Sequence, residues 1–375
     1  MTRIGFAYNQ KPDPTAPAPA PDTAESAHAD EEPPSTAVAL APSPLALAAD
    51  DEYAEWDAPD TIDAVERALA RHGQVIRLEA TDDFPQRLRA TRPDIVFNIA
   101  EGLRGPNREA HVPAICEFYG VPYSGSDPFT LALCLDKART KEILRAHRVP
   151  TADWLVIRSL AELDRLDLGT LQLPLFAKPV HEGSSKGITE RNLAPTREAL
   201  VAIVEELLER YQQPVIVERY LPGAEFTCGV LGNGRSARVL PLVGMDFTAL
   251  PAGALPIYGF EAKWLWDKPE NPLPIFACPA NVAPALRDEI ADVALRTFHA
   301  LGCRDWARVD VRLDAAGRAN VVEVNPLPGI LPDPADNSCL PKAARAAGLD
   351  YDALIGACLQ AAADRQGVAL DGGPR

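Results

Sequence analysis

Residues 308–329, RVDVRLDAAGRANVVEVNPLPG, bring together residue types that bind metals and phosphates. Two runs of alternating apolar and polar residues flank DAAG, which predicts a β-hairpin. One face of this hairpin then carries Arg308 and Asp310 from the first strand and Glu323 and Asn325 from the second. An even-length loop such as residues 314–317 would pair Arg308 with Glu323 and place Val322 and Val324 on the buried face.

This set of side chains suggests chemistry on a phosphorylated substrate. Carboxylate and amide oxygens suit Mg²⁺, which takes one or two carboxylates together with substrate phosphates. A guanidinium can neutralise charge that develops on an oxyanion or a phosphoryl group. The PLPG turn adds backbone amides that can bind an anion. The alternative is an exposed, salt-bridged hairpin.

Two further motifs point to nucleotide binding. In FAKPVHEGSSKGI, residues 176–188, Lys178 ends an apolar strand, and Ser184 and Ser185 follow in a loop that could cradle phosphate. The lysine precedes the loop, so this is not a Walker A motif. In VIVERYLPGAEF, residues 215–226, Glu218 and Glu225 could accept hydrogen bonds from adenine or ribose. Taken alone, a surface turn and an edge-strand charge are the alternatives.

Apolar periodicity predicts the elements that position these motifs. The N-terminal part has a β-α-β order, which is typical of an open α/β layer: strands at Arg3–Tyr8, 75–78 and 94–99, and a helix at 61–72 capped by Asp60. Further helices are expected at 113–119, from about Asp136, and at 198–210, 286–301 and 351–363. Further strands are expected at 155–157, 175–178 and 215–218, with a strand-rich region from Glu225.

Composition excludes several classes of function. The 375-residue chain has a net charge of −16, which disfavours nucleic acid and anionic membranes as partners. There is no apolar run of about 18 residues and no secretory signal. The seven cysteines form no CxxC pair. We therefore expect reduced thiols in a cytoplasmic protein.

Residues 11–55 form a Pro/Ala-rich acidic insert. Between residues 11 and 60 there are twelve acidic residues and one basic residue, Lys11. Such a composition cannot bury enough apolar surface to fold, so we predict disorder. Weak docking of the more apolar residues 38–49 is the alternative.

In this order, the motifs resemble the ATP-grasp superfamily and, within it, the D-alanine–D-alanine ligases. The resemblance runs from about residue 94 to 363 and includes GVPYSGSDPFTLALCLDKARTK, FAKPVHEGSSKGI, FEAKWLWD and VVEVNPLPGI. It implies a mixed α/β (α+β), three-domain ATP-grasp fold. The expected parts are an N-terminal open parallel α/β domain (1–135), a central subdomain (136–222), a C-terminal subdomain (223–366) and a tail (367–375).

The resemblance also implies roles for individual residues. Those expected to bind ATP are Lys137, Lys178, Glu182, Gly183, Ser185, Glu218, Glu225 and Lys263, with residues 182–187 as a lid over the phosphates. Asp310, Glu323 and Asn325 match the ligands of two Mg²⁺ (or Mn²⁺) ions. Arg308, the Gly329 amide and Ser184 match residues at the reacting groups, and Ser338 matches the residue that binds the second substrate's carboxylate.

The implied reaction joins two small amino-acid substrates. The first carboxylate is phosphorylated by ATP, and the second substrate's amine attacks the acyl phosphate under a lid that excludes water. The family also suggests a homodimer. Two alternatives are a ligase for an L-amino acid, a hydroxy acid or a peptide, and a nucleotide-binding regulator without turnover. The presence of all three metal ligands argues against the regulator.

The chain departs from the family on the amino-acid side. Trp264 replaces a tyrosine, and the glycine-rich turn and glutamate expected after the first strand are replaced by NQKPDP and the insert. FNIAEGLRGPNRE, residues 97–109, replaces a His/Gly-rich segment and offers Glu101, Arg104 and Arg108 to the substrate. We therefore expect D-alanine to be a poor second substrate, or to be oriented by Glu101 and Arg104.

Overall fold

The computed structural model describes residues 1–12, 53, 55–102, 104–169, 171–267 and 272–371. The predicted disorder of residues 13–52 lies outside these ranges. Within them, the strands form three sheets, and the sequence motifs lie on the second and third.

The N-terminal sheet is parallel, as the β-α-β order predicts. Its strands are β1 (Arg3–Tyr8), β2 (Gln74–Glu79) and β3 (Ile95–Asn98), in the order β2–β1–β3. Helices α1 (Pro59–Leu69), α2 (Phe84–Thr91) and α3 (His111–Tyr119) pack beside it. Asp60 is not the cap of α1: the cap is Ala58, and Pro59 occupies the first turn, where its fixed φ and missing N–H cost nothing.

Two consecutive helices, α4 (Pro128–Leu135) and α5 (Lys137–Ala146), follow the N-terminal sheet. The Asp136 carboxylate caps α5 by accepting hydrogen bonds from the amides of Ala138 and Arg139. The predicted helix start near Asp136 is therefore confirmed. Lys137 and Lys141 lie one turn apart on the same buried face of α5.

The second sheet is antiparallel, with the order β4–β7–β5–β6. Its strands are β4 (Trp154–Ile157), β5 (Leu175–Pro179), β6 (Leu193–Ala194) and β7 (Val215–Arg219). Helices α6 (Leu160–Asp164) and α7 (Arg197–Tyr211) accompany it. Leu200 and Val204 of α7 are fully buried against β5 and β7, as the apolar spacing predicts.

The third sheet is antiparallel and larger, with the order β11–β10–β8–β12–β13 and β9 paired to β8. Its strands are β8 (Glu225–Leu231), β9 (Arg238–Val239), β10 (Val243–Met245), β11 (Phe276–Ala277), β12 (Trp306–Leu313) and β13 (Ala319–Asn325). Helix α8 (Pro284–Ala300) lies between β11 and β12 in the chain. Helices α9 (Cys339–Ala346) and α10 (Tyr351–Gln366) follow β13. None of the helices within the described ranges is long and apolar enough to cross a membrane.

The hairpin β12–β13 has the predicted strands but not the predicted register. Arg308 lies opposite Asn325, and Asp310 lies opposite Glu323. The loop is one residue longer than expected, because the last pair is Leu313 and Ala319, and a β-bulge after Asp310 adds another residue. The longer loop and the bulge each shift the pairing by one residue. Because the total shift is two residues and side chains alternate with a period of two, the polar groups still share a face.

The bulge also changes which valine is buried. Val321 and Val324 lie in the hydrophobic cluster under α8, whereas Val322 is only half-buried and lines the cleft described below. The prediction that Val322 belongs to the buried face is therefore wrong.

We predict that residues 13–50 are dispensable for folding. Backbone hydrogen bonds join Lys11 N to Asp57 O (2.9 Å) and Asp57 N to Asn9 O (3.0 Å), so the two ends of this segment already meet. Replacing the segment with a short flexible linker should shift the melting temperature by only a few degrees, since closing a short loop costs little. A large drop, measured by circular dichroism, would contradict the prediction.

Candidate active site

A cleft of about 690 Å³ opens between the three sheets. Most of the predicted site residues line it: Glu101, Lys178, Ser184, Ser185, Glu218, Glu225, Lys263, Arg308, Asp310, Glu323, Asn325, Gly329 and Ser338. Three predicted residues adjoin the cleft without lining it: Lys137, Glu182 and Gly183. Arg104 is exposed and does not line it, and the side chain of Trp264 lies outside the described part of the chain.

The hairpin presents two carboxylates to the cleft, each bound by a cation. Lys137 Nζ lies 2.9 Å from Glu323 Oε1. Burial opposes ionisation of Glu323, but the ammonium groups of Lys137 and Lys178 outweigh burial and lower its pKa to about 2. Asp310 accepts hydrogen bonds from Thr227 Oγ1 (2.9 Å) and Arg308 Nη2 (3.0 Å). Here burial dominates, and the pKa of Asp310 is raised.

The donor set of this face fits Mg²⁺. In the ranges that the structure describes, no group of three or more His, Cys, Asp or Glu side chains is placed to hold a metal. The hairpin offers two carboxylates and the amide oxygen of Asn325 instead. Mg²⁺ is commonly bound in this way, because it keeps waters and takes its remaining ligands from substrate phosphates.

Glu218, at the end of β7, lies between two buried lysines. Lys178 Nζ is 2.8 Å from Glu218 Oε1, and Lys141 Nζ is 2.8 Å from Oε2. Apart from this ion pair with Lys141, Oε2 has no hydrogen-bond partner within the described residues. A buried carboxylate oxygen with accepting capacity left is suited to an N–H or O–H group of a ligand.

Lys141 was not among the predicted site residues. It is 2% exposed, lines the cleft, and donates to Thr151 Oγ1 at 2.7 Å. The sequence could have indicated its position, because Lys141 follows Lys137 by four residues and the two therefore share one face of the predicted helix.

Glu225, at the start of β8, is held by a second arginine that the sequence analysis missed. Arg312 Nη1 donates to Glu225 Oε2 at 2.8 Å, and Arg312 Nη2 donates to Pro256 O at 2.7 Å. Burial still dominates, and the pKa of Glu225 is raised. Arg312 extends the alternation of Arg308 and Asp310 by two residues, so the period of the strand was the available signal.

Residues 182–187, the predicted lid, are anchored to distant parts of the chain. The Lys137 ammonium donates to the carbonyl oxygen of Glu182. Ser185 Oγ donates to Tyr258 O at 3.1 Å, next to the π-helical turn Glu261–Trp266 that contains Lys263. Ser184 and Ser185 both have positive φ, 50° and 62°, a conformation that L-residues rarely adopt.

The residue that the sequence analysis most clearly missed is Glu55. It was assigned to the disordered insert, but its side chain is 8% exposed, and it ion-pairs with Arg108 at 3.0 Å and with Lys186 at 3.3 Å. Burial disfavours its charge, but Arg108 and Lys186 outweigh burial and lower the pKa of Glu55. Two nearby aromatic residues could have indicated that this part of the chain is ordered, because aromatic residues are rare in disordered segments. In the structure, Tyr53 and Trp56 form an edge-to-face pair.

Two further titratable groups that line the cleft, Glu101 and Lys263, have pKa values shifted by burial. Glu101 lines the cleft, and burial, reinforced by the nearby charges of Glu109 and Glu55, raises its pKa well above the usual value. Lys263 is also affected: burial and then repulsion by Arg308 lower its pKa to about 8. Ser338 Oγ accepts a hydrogen bond from Leu331 N and donates to Gly329 O, and both Ser338 and Gly329 line the cleft.

Comparison with known families agrees with this geometry. The model of the D-ala D-ala ligase C-terminus matches residues 143–360. A D-alanine–D-alanine ligase of Chromohalobacter salexigens is 37% identical over 268 residues, which cover 72% of this chain and 77% of the relative. The chain belongs to the D-alanine–D-alanine ligase family.

Two other matches extend the comparison. An uncharacterised protein of Sinorhizobium fredii is 36% identical over 268 residues, which cover 72% of this chain and 74% of that protein. The crystal structure of D-alanine–D-alanine ligase from Bacillus anthracis complexed with ATP has a TM-score of 0.62, covers 98% of this chain and 99% of that one, and is 21% identical. That structure shows the fold, and the predicted three-domain ATP-grasp fold of this family is confirmed.

We predict that Glu218→Gln destabilises the protein by about 3 kcal/mol at neutral pH, because it leaves two buried ammonium groups without their counter-charge. Burial raises the pKa of Glu218, but Lys141 and Lys178 outweigh burial and lower it from 4.5 to about 2. The stabilisation is therefore present above pH 4.5 and is lost as the pH falls towards 2.

The difference between the thermal melts of the two proteins should accordingly be largest at pH 7, be smaller at pH 3 and disappear as the pH approaches 2. Glu205→Gln, an exposed glutamate of α7, is the matched control and should melt like the wild type at every pH. An equal difference at pH 7 and pH 3 would show that Glu218 does not stabilise the fold through its charge.

Proposed function

We propose that this chain joins two D-alanine molecules, using ATP and Mg²⁺, through an acyl phosphate. As a member of its family it is an ATP-dependent ligase that forms C–N bonds. The observation that carries the proposal is the convergence on one cleft of phosphate-binding lysines, two carboxylates on a hairpin, and a Gly/Ser lid.

The lysines and the lid suit the triphosphate. Lys178 is 3% exposed and faces the cleft, so its charge acts in a site of low dielectric, where it binds phosphate strongly. Ser184 and Ser185 also line the cleft and offer hydroxyls and backbone amides to the phosphates. Glu218 Oε2, with accepting capacity left, suits the adenine amino group or a ribose hydroxyl.

Asp310, Glu323 and Asn325 would hold the metal, with the carboxylates of the first two as its charged ligands. Bound there, Mg²⁺ would neutralise the phosphates and stabilise the charge that develops as the γ-phosphoryl group is transferred. The ion pairs of Glu323 with Lys137 and of Asp310 with Arg308 place positive charge at this face, which supports the proposal that it accommodates a cation.

Arg308 and the Gly329 amide would stabilise the oxyanion that forms when the second amine attacks the acyl phosphate. Arg308 faces the cleft, and charge-assisted donors aimed at a developing oxyanion are the largest single contribution in many acyl transfers. Ser338, at the same end, would bind the carboxylate of the second substrate. The lid would exclude water from the acyl phosphate.

We place the reaction in the cytoplasm, where it would supply the dipeptide of peptidoglycan. All seven cysteines lie within the described residues and are free thiols, which suits a reducing compartment. The homodimer that the family suggests stays a prediction, which the molar mass in solution would test.

We predict that Glu323→Ala abolishes magnesium-dependent turnover. Loss of a carboxylate that would hold the metal should cost several kcal/mol of transition-state stabilisation, so kcat/KM should fall by at least about 100-fold. Glu205→Ala removes a carboxylate far from the cleft and serves as the control. Near-normal turnover by a folded Glu323→Ala protein would exclude Glu323 from the metal site.

The substrates are tested by phosphate release with ATP, Mg²⁺ and a panel of D- and L-amino acids and hydroxy acids, with products identified by mass spectrometry. We predict D-alanyl-D-alanine as the product from D-alanine. Glu101→Gln should alter the KM for amino acid more than that for ATP, because we assign Glu101, which lines the cleft, to the amino-acid substrate and not to the nucleotide. Turnover restricted to mixed substrates would instead support the altered acceptor predicted from Trp264.

A further inference from the structure

Three buried charged groups from separate parts of the chain meet at the lid. Arg108, just before α3, approaches Glu55 with Nη2 at 3.1 Å from Oε1 and 3.0 Å from Oε2, and with Nε at 3.2 Å from Oε2. Lys186, within the lid, lies 3.3 Å from the same Oε2. The three side chains are only 8–10% exposed. We refer to Glu55, Arg108 and Lys186 as the lid triad.

The triad also contacts the lid backbone. Arg108 Nη1 donates to the carbonyl oxygen of His181 at 3.2 Å, immediately before the lid begins. Gly183 passes so close to Glu55 that a Cβ at this position would overlap Glu55 Oε1. The N-terminal sheet region is thereby joined to both ends of the lid, one end through Arg108 and the other through Lys186.

Charge balance makes this contact stronger than a surface ion pair. Exposed pairs contribute little, because water solvates each partner nearly as well. A buried charge that loses its partner is left uncompensated, which costs far more. Each member of the lid triad therefore disfavours separation of the lid from the N-terminal region, and Glu182, 3.8 Å from Lys186, completes a neutral group of four.

We propose that Arg108 and Lys186 are positioning residues: through Glu55 they hold the lid closed over the reacting groups and so determine how well the acyl phosphate is shielded from water. This rests on the proposed function. Neither residue lines the cleft, so neither is expected to touch the reacting atoms.

The test uses the full-length protein and two variants, Lys186→Met and Arg108→Met, which keep the bulk of each side chain but remove its charge. The first measurement is independent of activity: cleavage after Glu182 by a glutamate-specific protease, followed by mass spectrometry. We expect cleavage to be about tenfold faster or more in both variants, because the lid opens more often. Lys186→Arg keeps the charge and should restore protection.

Arg287→Met is the matched control. Arg287 lies on α8 in an exposed pair with Asp288, remote from the lid, and its loss should leave cleavage at Glu182 unchanged. Gly183→Ala tests the same contact from the other side, since its Cβ would displace the Glu55 carboxylate. It should accelerate cleavage although all three charges remain.

The second measurement is the number of ATP molecules hydrolysed per dipeptide released. We expect this ratio to rise in Lys186→Met and Arg108→Met, because water reaches the acyl phosphate, and to return to the wild-type value in Lys186→Arg. A purely structural role would lower both rates together and leave the ratio unchanged.

The outcomes separate the two proposals. Unchanged cleavage in folded Lys186→Met and Gly183→Ala would overturn the lid triad, even if Arg108→Met proved too unstable to study. If the wild type forms no dipeptide while both variants still lose lid protection, the proposed function is wrong and the positioning role of the triad stands.

Discussion

Three largely buried carboxylates at the cleft are each paired with a cation on a different element of the fold. Glu323 of β13 pairs with Lys137 of α5, Glu218 of β7 with Lys178 of β5, and Glu225 of β8 with Arg312 of β12. An isolated charge in such surroundings would be neutralised or would unfold the site, since its desolvation costs several kcal/mol. Loss of either member of such a pair would leave an uncompensated charge at the wall of the cleft. The same groups are those that we propose to bind the triphosphate and Mg²⁺, so the proposed binding site and the stability of the fold around it depend on the same contacts.

Local periodicity was sufficient for the elements that bear these groups. The strand Arg3–Tyr8 has its predicted bounds, and α7 and β7 begin and end within one residue of the prediction. Apolar spacing reports burial against neighbouring layers: α7 has one buried face, and β7 is an apolar run that is buried on both faces. The hairpin β12–β13 shows where this information ends. A bulge is a local break in pairing that no hydrophobic pattern encodes, so the register of Arg308 was wrong although its face was right.

Glu55 was missed for a different reason. Its neighbours up to residue 52 have the composition of a disordered chain, and composition is averaged over a window that blurs a boundary. Its burial arises from partners 53 and 131 residues away, Arg108 and Lys186. Arg108 was noted as a substrate contact because an isolated arginine in a polar loop suggests a ligand, whereas its partner is a carboxylate of the same chain. Long-range ion pairs between irregular segments have no periodicity by which a sequence could reveal them.

The lid combines backbone strain with contacts that hold it. Ser184 and Ser185 are both in the left-handed region, where an L-residue costs roughly 1–2 kcal/mol. Glycine would remove that cost but also the two hydroxyls, one of which donates to Tyr258 O. An open lid could relax both residues, so the closed form exists because Tyr258, Lys137 and the lid triad together outweigh the strain. A lid held in this way can open for substrate exchange at a modest cost in free energy. The equilibrium between open and closed lid favours closure only while its charged partners from three parts of the chain are all in place.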